Sequence, residues 1–344
     1  MPRDLLVLFC VFICTTLAFH SVVLPSLPES IYGFVGRKPV ESRFLFVGDI
    51  MLARHVETLI KTEGAEYPFV GLVPLRDHYD AMIGNFEAPI GLIHTQTKAN
   101  SLSFSVASSS IAHLGDYFDL VSLANNHTLD QGEAGLVYTR ELLESKEARP
   151  FGDPAQVSID SVAYLTHKEE RLAVVGLNAT KSLSYEALER LFAELREHSS
   201  MQIVYVHWGI EYDNVHAPEQ ETLAHFLIDH GADVIIGHHP HVIQDIGFYK
   251  GAPIFYSLGN FVFDQYFSDE VEVGLGVELA LVDQTVSYRL IPFTSQKHQS
   301  SPRLMPYDER VALVESILER SGPEVAQIMN TDGILEITKT LASL

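Results

Sequence analysis

Three imidazoles, His238, His239 and His241, stand within four positions of one another, directly after the apolar run ADVIIG. Burying an unpaired imidazole is costly, and three neighbours compete for the same hydrogen-bond partners, so a cation that takes up their lone pairs answers the difficulty. Other polar clusters recur in the same setting. Asp49 closes RFLFVGD, Asn85 and Glu87 close AMIGNFE, Asn126 and His127 close FDLVSLANNH, and His207 follows IVYV. Each is weak alone, because an aspartate after a strand is as often a turn or helix cap, and an Asn-His pair is more often a turn. Taken together they form a set of oxygen and nitrogen donors without sulfur, which suits one or two divalent ions such as Mn, Zn or Fe. The chemistry such ions support is hydrolytic: they make hydroxide available near neutrality and neutralise charge on an attacked phosphoryl or carbonyl oxygen.

These residues need elements to hold them. Apolar runs at 43–49, 81–87, 118–127, 172–178, 203–209, 232–241 and 253–261 read as strands. Between them GEAGLVYTRELLESK, SYEALERLFAELREH and PEQETLAHFLIDHG carry apolar residues at helical spacing, the last ending on Gly231 as a C-cap. Strand and helix alternate, so the fold class is α/β, and in open sheets of this class ligands collect beyond the carboxyl ends of strands, where the polar clusters fall. GLGVELALV and TVSYRLIPF, which flank Asp283 and Gln284, read as a β-hairpin; GLGVEL is not a dinucleotide fingerprint, since its third glycine is missing and no helix follows. His225 and His230 lie on the helical stretch and read as structural or surface residues. The domain spans 43–295, and 296–344, with the charged periodic segment DERVALVESILERSGPEVAQIMN, reads as a C-terminal helical appendage.

Both cysteines, Cys10 and Cys14, fall in the first stretch, so the folded part has no disulfide, thiol nucleophile or cysteine-held zinc. Residues 5–24 are apolar except for Thr15, Thr16, His20 and Ser21, long enough to cross a bilayer. No small-x-small cleavage signal follows, so 1–24 reads as an uncleaved membrane anchor with 25–42 as its tether. Arg3 ahead of the apolar run puts the N-terminus in the cytoplasm and the body outside. The net charge of −22, with no basic run, argues against nucleic acid as a partner.

The blocks GDIMLAR, GNFEAPI, LANNHTLDQG, VHWGIEY, GHHPHVIQ and YSLGNFVFD, in this order between residues 43 and 264, resemble the bacterial capsule-synthesis CapA family of poly-γ-glutamate capsule proteins. That family is in turn similar to the calcineurin-like metallophosphoesterases. The resemblance implies a two-sheet β-sandwich flanked by helices, loops that hold a dinuclear metal centre, and a role in capsule or poly-γ-glutamate assembly. By the same resemblance Asp49, Glu87, Asn126, His207, His239 and His241 are metal ligands, with Glu87 bridging, and His127 faces the reacting group as catalytic acid. His238 falls where the family varies and takes no ligand role. Asp130, three residues after His127, and Glu211, four after His207, are candidates for orienting those imidazoles, with Asn85 beside the ligands. Arg54 and Asn260 are candidates for contacting an anionic substrate, although Arg54 is equally a surface charge. Two departures stand out: Asp49-Ile50-Met51 replaces the Asp-x-His opening of the larger group, and Asn-Phe-Glu replaces a motif centred on aspartate.

Two functions follow. One is a membrane-anchored extracytoplasmic hydrolase acting on an anionic polymer or its phosphorylated precursor, beside polymer synthase subunits. The other is a non-catalytic scaffold that binds polymer during export, for which the methionine at position 51 speaks. With −22 on the body, only metals, or Arg54 and Lys98 near the motifs, offset repulsion of a polyanion.

Overall fold

A computed structural model describes residues 41–282, 285–329 and 334–337. The first strand, β1 (Ser42–Ile50), divides its side chains between two cores: Phe44 and Phe46 enter one, Leu45 and Val47 the other, as the two-residue period of a strand requires. The chain continues through α1 (Arg54–Glu63) and α2 (Val73–Arg76) to β2 (Ala81–Phe86), then β3 (Leu120–Ser122), α3 (Gly132–Glu144) and β4 (Arg149–Phe151). These four strands lie parallel, in sequence order.

A second sheet follows, built from β5 (Val162–His167), β6 (Glu170–Asn178), β7 (Met201–His207), β8 (Val234–His238), β9 (Ile246–Tyr249) and β10 (Ala252–Phe255), in the spatial order β5-β6-β7-β8-β10-β9. Its parallel centre is connected by α4 (Tyr185–His198) and α5 (Pro218–Asp229). The start of α4 is set by Ser184, whose hydroxyl accepts from the Ala187 N–H at 3.2 Å, and its buried stripe is Leu188, Leu191, Phe192 and Leu195. The chain then returns to the first sheet with β11 (Asn260–Val262), parallel to the end of β1, and the hairpin β12 (Val273–Val282) and β13 (Thr285–Thr294).

Phe46, Ile83, Val277 and Leu279 of the first sheet share one core with Val174, Ile203, Tyr205 and Ile236 of the second. The opposite faces are covered by helices, α1 and α3 on the first sheet and α4 and α5 on the second. The architecture is therefore a mixed α/β sandwich of two sheets flanked by helices.

The segment after 296 departs from a helical appendage. β14 (Arg303–Leu304) and β15 (Ile334–Ile337) both pair with β13. Val314 and Ile317 of α6 (Tyr307–Ser321) and Val325 of α7 (Pro323–Ile328) enter the core between the sheets. Apolar faces that look spare in a charged helical sequence are used to close that core. Among the described residues no helix is long and apolar enough to cross a membrane, and the anchor expected at 1–24 lies outside them.

One local feature of β1 prepares the site. Its register shifts between Phe46 and Asp49, and a Cβ on Gly48 would lie 1.8 Å from the Gly259 carbonyl oxygen. Glycine lets the strand press against the turn before β11, which sets Asp49 level with both Asn85 and Asn260.

Candidate metal centre

The carboxyl ends of β1, β2 and β3 meet those of β7 and β8 across the sandwich, held by the Tyr205 hydroxyl, which donates to the Val47 carbonyl. Asp49, Asn85, Glu87, His207 and His238 have no solvent exposure there, and His239 and His241 are almost as deeply buried. The backbone at this end is held in unusual conformations. His239 and His241 have φ of 103° and 60°, a region that non-glycine residues avoid, and such strain concentrates at functional sites.

A chain of amides orients the first carboxylate. Asn85 Nδ2 donates to Asp49 Oδ1 at 2.8 Å and lies 3.3 Å from His207 Nδ1. Asn125 Nδ2 in turn donates to Asn85 Oδ1 and to the Phe86 carbonyl, both at 3.0 Å. The other Asp49 oxygen accepts from the His239 backbone N–H at 3.3 Å and faces His241 Nδ1 at 3.2 Å. His241 Nδ1 also meets Asn260 Oδ1 at 3.0 Å, and its Nε2 lies 3.8 Å from Glu87 Oε1. His207 Nε2 lies 2.7 Å from Asn126 Oδ1 and 3.7 Å from Glu87 Oε1.

Two residues are anomalies in this network: His238, whose two ring nitrogens both lack a partner, and, as the one that can carry negative charge, Glu87. Neither of its oxygens receives a hydrogen bond, although both are buried, and an uncompensated buried carboxylate is among the costliest groups a protein can hold. Burial, and then the charge of Asp49 beside it, push the Glu87 carboxyl well above the ordinary carboxylate range. For Asp49 burial acts upward too, but the hydrogen bond and charge of His241 and the charge of His238 outweigh it, and its pKa lies below the usual value. Burial drives the imidazoles the other way: His207 falls well below its ordinary value, and His238 and His239 fall to about 4. They are neutral at pH 7, with lone pairs to offer.

A divalent cation fits this donor set. Donor atoms of Asp49, Glu87 and His241 lie within 4.8 Å of one another, as do those of Glu87, His207 and His239. Two further groups, Asp49 with His207 and His238 and Glu211 with His239 and His241, meet the same limit, so Asp49, Glu87, His207, His239 and His241 each belong to two overlapping groups and His238 lies among the donors. Beside them His127 Nδ1 lies 2.9 Å from Asp130 Oδ2, and its ring centroid is 4.2 Å from that of Phe104. Asp130 is fixed in turn by the Phe104 N–H at 2.7 Å. His127 therefore has one nitrogen committed to a carboxylate and the other free.

The structure thus brings together Asp49, Asn85, Glu87, Asn126, His127, Asp130, His207, His239 and His241. Other sequence-based expectations land elsewhere. Glu211 is exposed and shares a donor group with His239 and His241, not with His207, because Gly209 (φ 89°) turns the chain between His207 and Glu211. Asn260 is taken up by His241 on one side and donates to Gln265 Oε1 and the Val271 carbonyl on the other, at 2.9 and 3.0 Å. Arg54 is no surface charge: it is 9% exposed and ion-paired with Asp264. Met51 is buried among apolar residues and its sulfur accepts from the Ala53 N–H at 3.1 Å, so it faces away from the centre. Asn125 and Asp264 escaped the sequence reading. Both lie inside blocks that carry the family resemblance, Asn125 next to Asn126 and Asp264 at the end of YSLGNFVFD, where only its position after a strand marks it.

Residues 43–265 match the family model described as bacterial capsule synthesis protein PGA_cap. The chain is 31% identical over 280 residues to the capsule biosynthesis protein CapA of Bacillus anthracis, covering 74% of this chain and 68% of that one. It is 32% identical over 238 residues to the PGA biosynthesis protein CapA of Bacillus subtilis (strain 168), covering 64% and 63%. The chain thus spans about two thirds of the length of these relatives. A probable polyglutamine synthesis accessory protein of Mycobacterium tuberculosis is 29% identical over 170 residues, 42% of this chain and 44% of that one. Among solved structures, a 5'-nucleotidase from Candida albicans aligns with a TM-score of 0.47 at 13% identity, over 77% of this chain and 55% of the other.

Proposed function

The chain belongs to the bacterial capsule synthesis PGA_cap family, and from that premise we propose that it serves assembly of a poly-γ-glutamate-type capsule as a metal-dependent hydrolase. Its target would be the anionic polymer or a phosphorylated precursor. The observation that carries this reading is Glu87, a fully buried carboxylate without a donor, shared between two groups of ligand atoms. A structural carboxylate would have been given a donor; a bridging one has to be left open for cations. Asp49, Glu87, Asn126, His207, His239 and His241 would hold the ions. When bound, they would supply a hydroxide nucleophile and neutralise charge on the attacked group.

The chain's own residues perform the remaining work. Asp130 keeps His127 in one orientation, so that Nε2 can hand a proton to the leaving group. The asparagine relay Asn125–Asn85–Asp49 keeps the first carboxylate from rotating. The apolar run at 5–24 supports a single-pass anchor with the body outside the membrane, near polymer synthase subunits.

The test is metal analysis of the purified protein joined to turnover. About two equivalents of Mn, Zn or Fe, with metal-dependent hydrolysis of phosphoesters or γ-glutamyl polymer, is the expected result. Absence of metal after reconstitution would refute the reading. Metal without hydrolysis of either substrate class would favour the polymer-binding scaffold, for which the position of Met51, turned from the centre, also speaks.

A further inference from the structure

Resting on the metal-centre reading above, we infer that Arg54 receives an anionic oxygen group of the substrate, and that Asp264 and two phenylalanine rings hold it for that task. Arg54 opens α1 with φ at 52°, a left-handed conformation that a mere surface charge has no need to adopt. Its Nε donates to Asp264 Oδ1 at 2.9 Å and its Nη2 donates to the same oxygen. The backbone N–H of His55 donates to Asp264 Oδ2 at 2.9 Å, so the carboxylate is itself fixed. The guanidinium carbon lies 5.0 Å from the Phe104 ring centre and 5.4 Å from that of Phe263. Each ring also meets an imidazole of the centre: Phe104 is 4.2 Å from His127 and Phe263 is 4.8 Å from His241.

Arg54 is thereby stationed between the proton donor and a metal-ligand histidine. A guanidinium has five N–H donors in a rigid fork. Asp264 uses Nε and Nη2, and Nη1 is left over. The pair carries no net charge, so what it offers an anion is direction: a desolvated donor that has already lost its freedom. The ligand chemistry is an oxyanion, with two sources, the side-chain carboxylate of a γ-linked glutamate chain or the phosphate of a precursor.

The experiment uses the full chain loaded with Mn, as wild type, Arg54→Lys and Asp264→Asn. Each is titrated calorimetrically with inorganic phosphate and with a γ-linked glutamate pentamer, and metal content and thermal unfolding are measured on the same samples. Metal content is expected to stay constant across the three. Binding should weaken roughly tenfold or more in Arg54→Lys, because a point charge cannot reproduce the planar fork. It should also weaken in Asp264→Asn, although removing a negative charge would by electrostatics alone tighten it. Loss confined to phosphate identifies a phosphorylated precursor, and loss confined to the pentamer identifies the polymer. Equal binding by wild type and metal-loaded Arg54→Lys, tighter binding by Asp264→Asn, or a metal-loaded wild type that binds neither ligand would overturn the inference. A wild type that holds no metal overturns the metal-centre reading and this inference with it.

Discussion

Replacing Glu87 with glutamine separates a bridging carboxylate from a structural one. In the metal-free protein burial and then Asp49 push the carboxyl's pKa well above the ordinary carboxylate range, so the neutral amide, of nearly the same shape, replaces a group whose charge the site disfavours. The amide offers an N–H beside Asp49 where a protonated carboxyl offers an O–H, so metal-free stability should change by no more than about 1 kcal/mol. Metal should divide the two proteins. At a hundred times its dissociation constant, an ion that binds only the folded state stabilises it by about 2.7 kcal/mol. At about 2.1 cal/mol/K per residue, a chain of 344 residues moves its melting temperature by roughly 1.4 °C per kcal/mol, so wild type should gain roughly 4 °C. Glutamine offers one neutral oxygen where two ligand groups shared a charged pair; a hundredfold loss of affinity, the order seen for disrupted metal sites, reduces that gain to about 0.6 °C. Thermal unfolding of chelator-stripped protein, titrated with Mn or Zn, reads this out. A Glu87→Gln protein that gains as much as wild type would refute the bridging role, whatever its activity.

Other perturbations test separate links. His238 has its pKa lowered to about 4 by burial; stability tied to its neutral form is complete above the unfolded value of about 6.5 and is lost as pH falls from there toward 4, at about 1.4 kcal/mol per pH unit. In chelator, His238→Gln should therefore lose about 2 kcal/mol less than wild type between pH 7.5 and 5 in urea unfolding, and equal losses would show that His238 is not held neutral. His127→Ala should lower hydrolysis roughly 10²- to 10⁴-fold with metal content intact; unchanged turnover removes the general acid from the mechanism. Gly48→Ala drives a methyl group to 1.8 Å from a backbone carbonyl, so the variant should lose at least about 2 kcal/mol or fail to fold, and a wild-type melting temperature would mean that β1 and the turn at Gly259 yield easily.

How far the sequence could be read depends on how local the determinant is. The β12–β13 hairpin was legible because two alternating runs flank a short turn, and the strands pair as that alternation demands, from Val282 with Thr285 to Val273 with Thr294. The ligand residues were legible because they sit at strand ends, where α/β topology gathers side chains. Glu211 was misread because a four-residue step from His207 has meaning on a helix, whereas β7 ends at His207 and the chain turns at Gly209. Met51 stands two residues beyond Asp49, which within a strand would put both on one face. β1 ends at Ile50, and the sulfur turns to the Ala53 N–H. The partner of Arg54 lies 210 residues away, a separation at which no local pattern can report. The tail shows the same limit. Its helical period predicts that it has an apolar face and says nothing of the neighbour that covers it, which here is the core between the sheets.

Charge determines how the two functional readings should be separated. Asp49, Glu87 and the rim residue Glu211 bring carboxylates to the centre, the positive charge of Arg54 is cancelled by Asp264, and the chain as a whole carries −22. Without cations the cleft repels an anionic polymer; with two divalent ions the local charge changes sign, and over so short a distance the ions outweigh a screened surface. An enzyme and a polymer-binding scaffold should therefore both lose polymer when metal is chelated, and metal dependence of binding does not distinguish them. His127 does, because its proposed part is proton transfer and not neutralising the polymer's charge. In the enzyme, His127→Ala leaves metal-dependent binding intact and stops turnover. In the scaffold there is no turnover to stop, and the variant assembles capsule as wild type does. A His127→Ala protein that binds polymer with metal, supports capsule formation in cells and leaves chain length unchanged would end the hydrolase reading while leaving the metal centre standing.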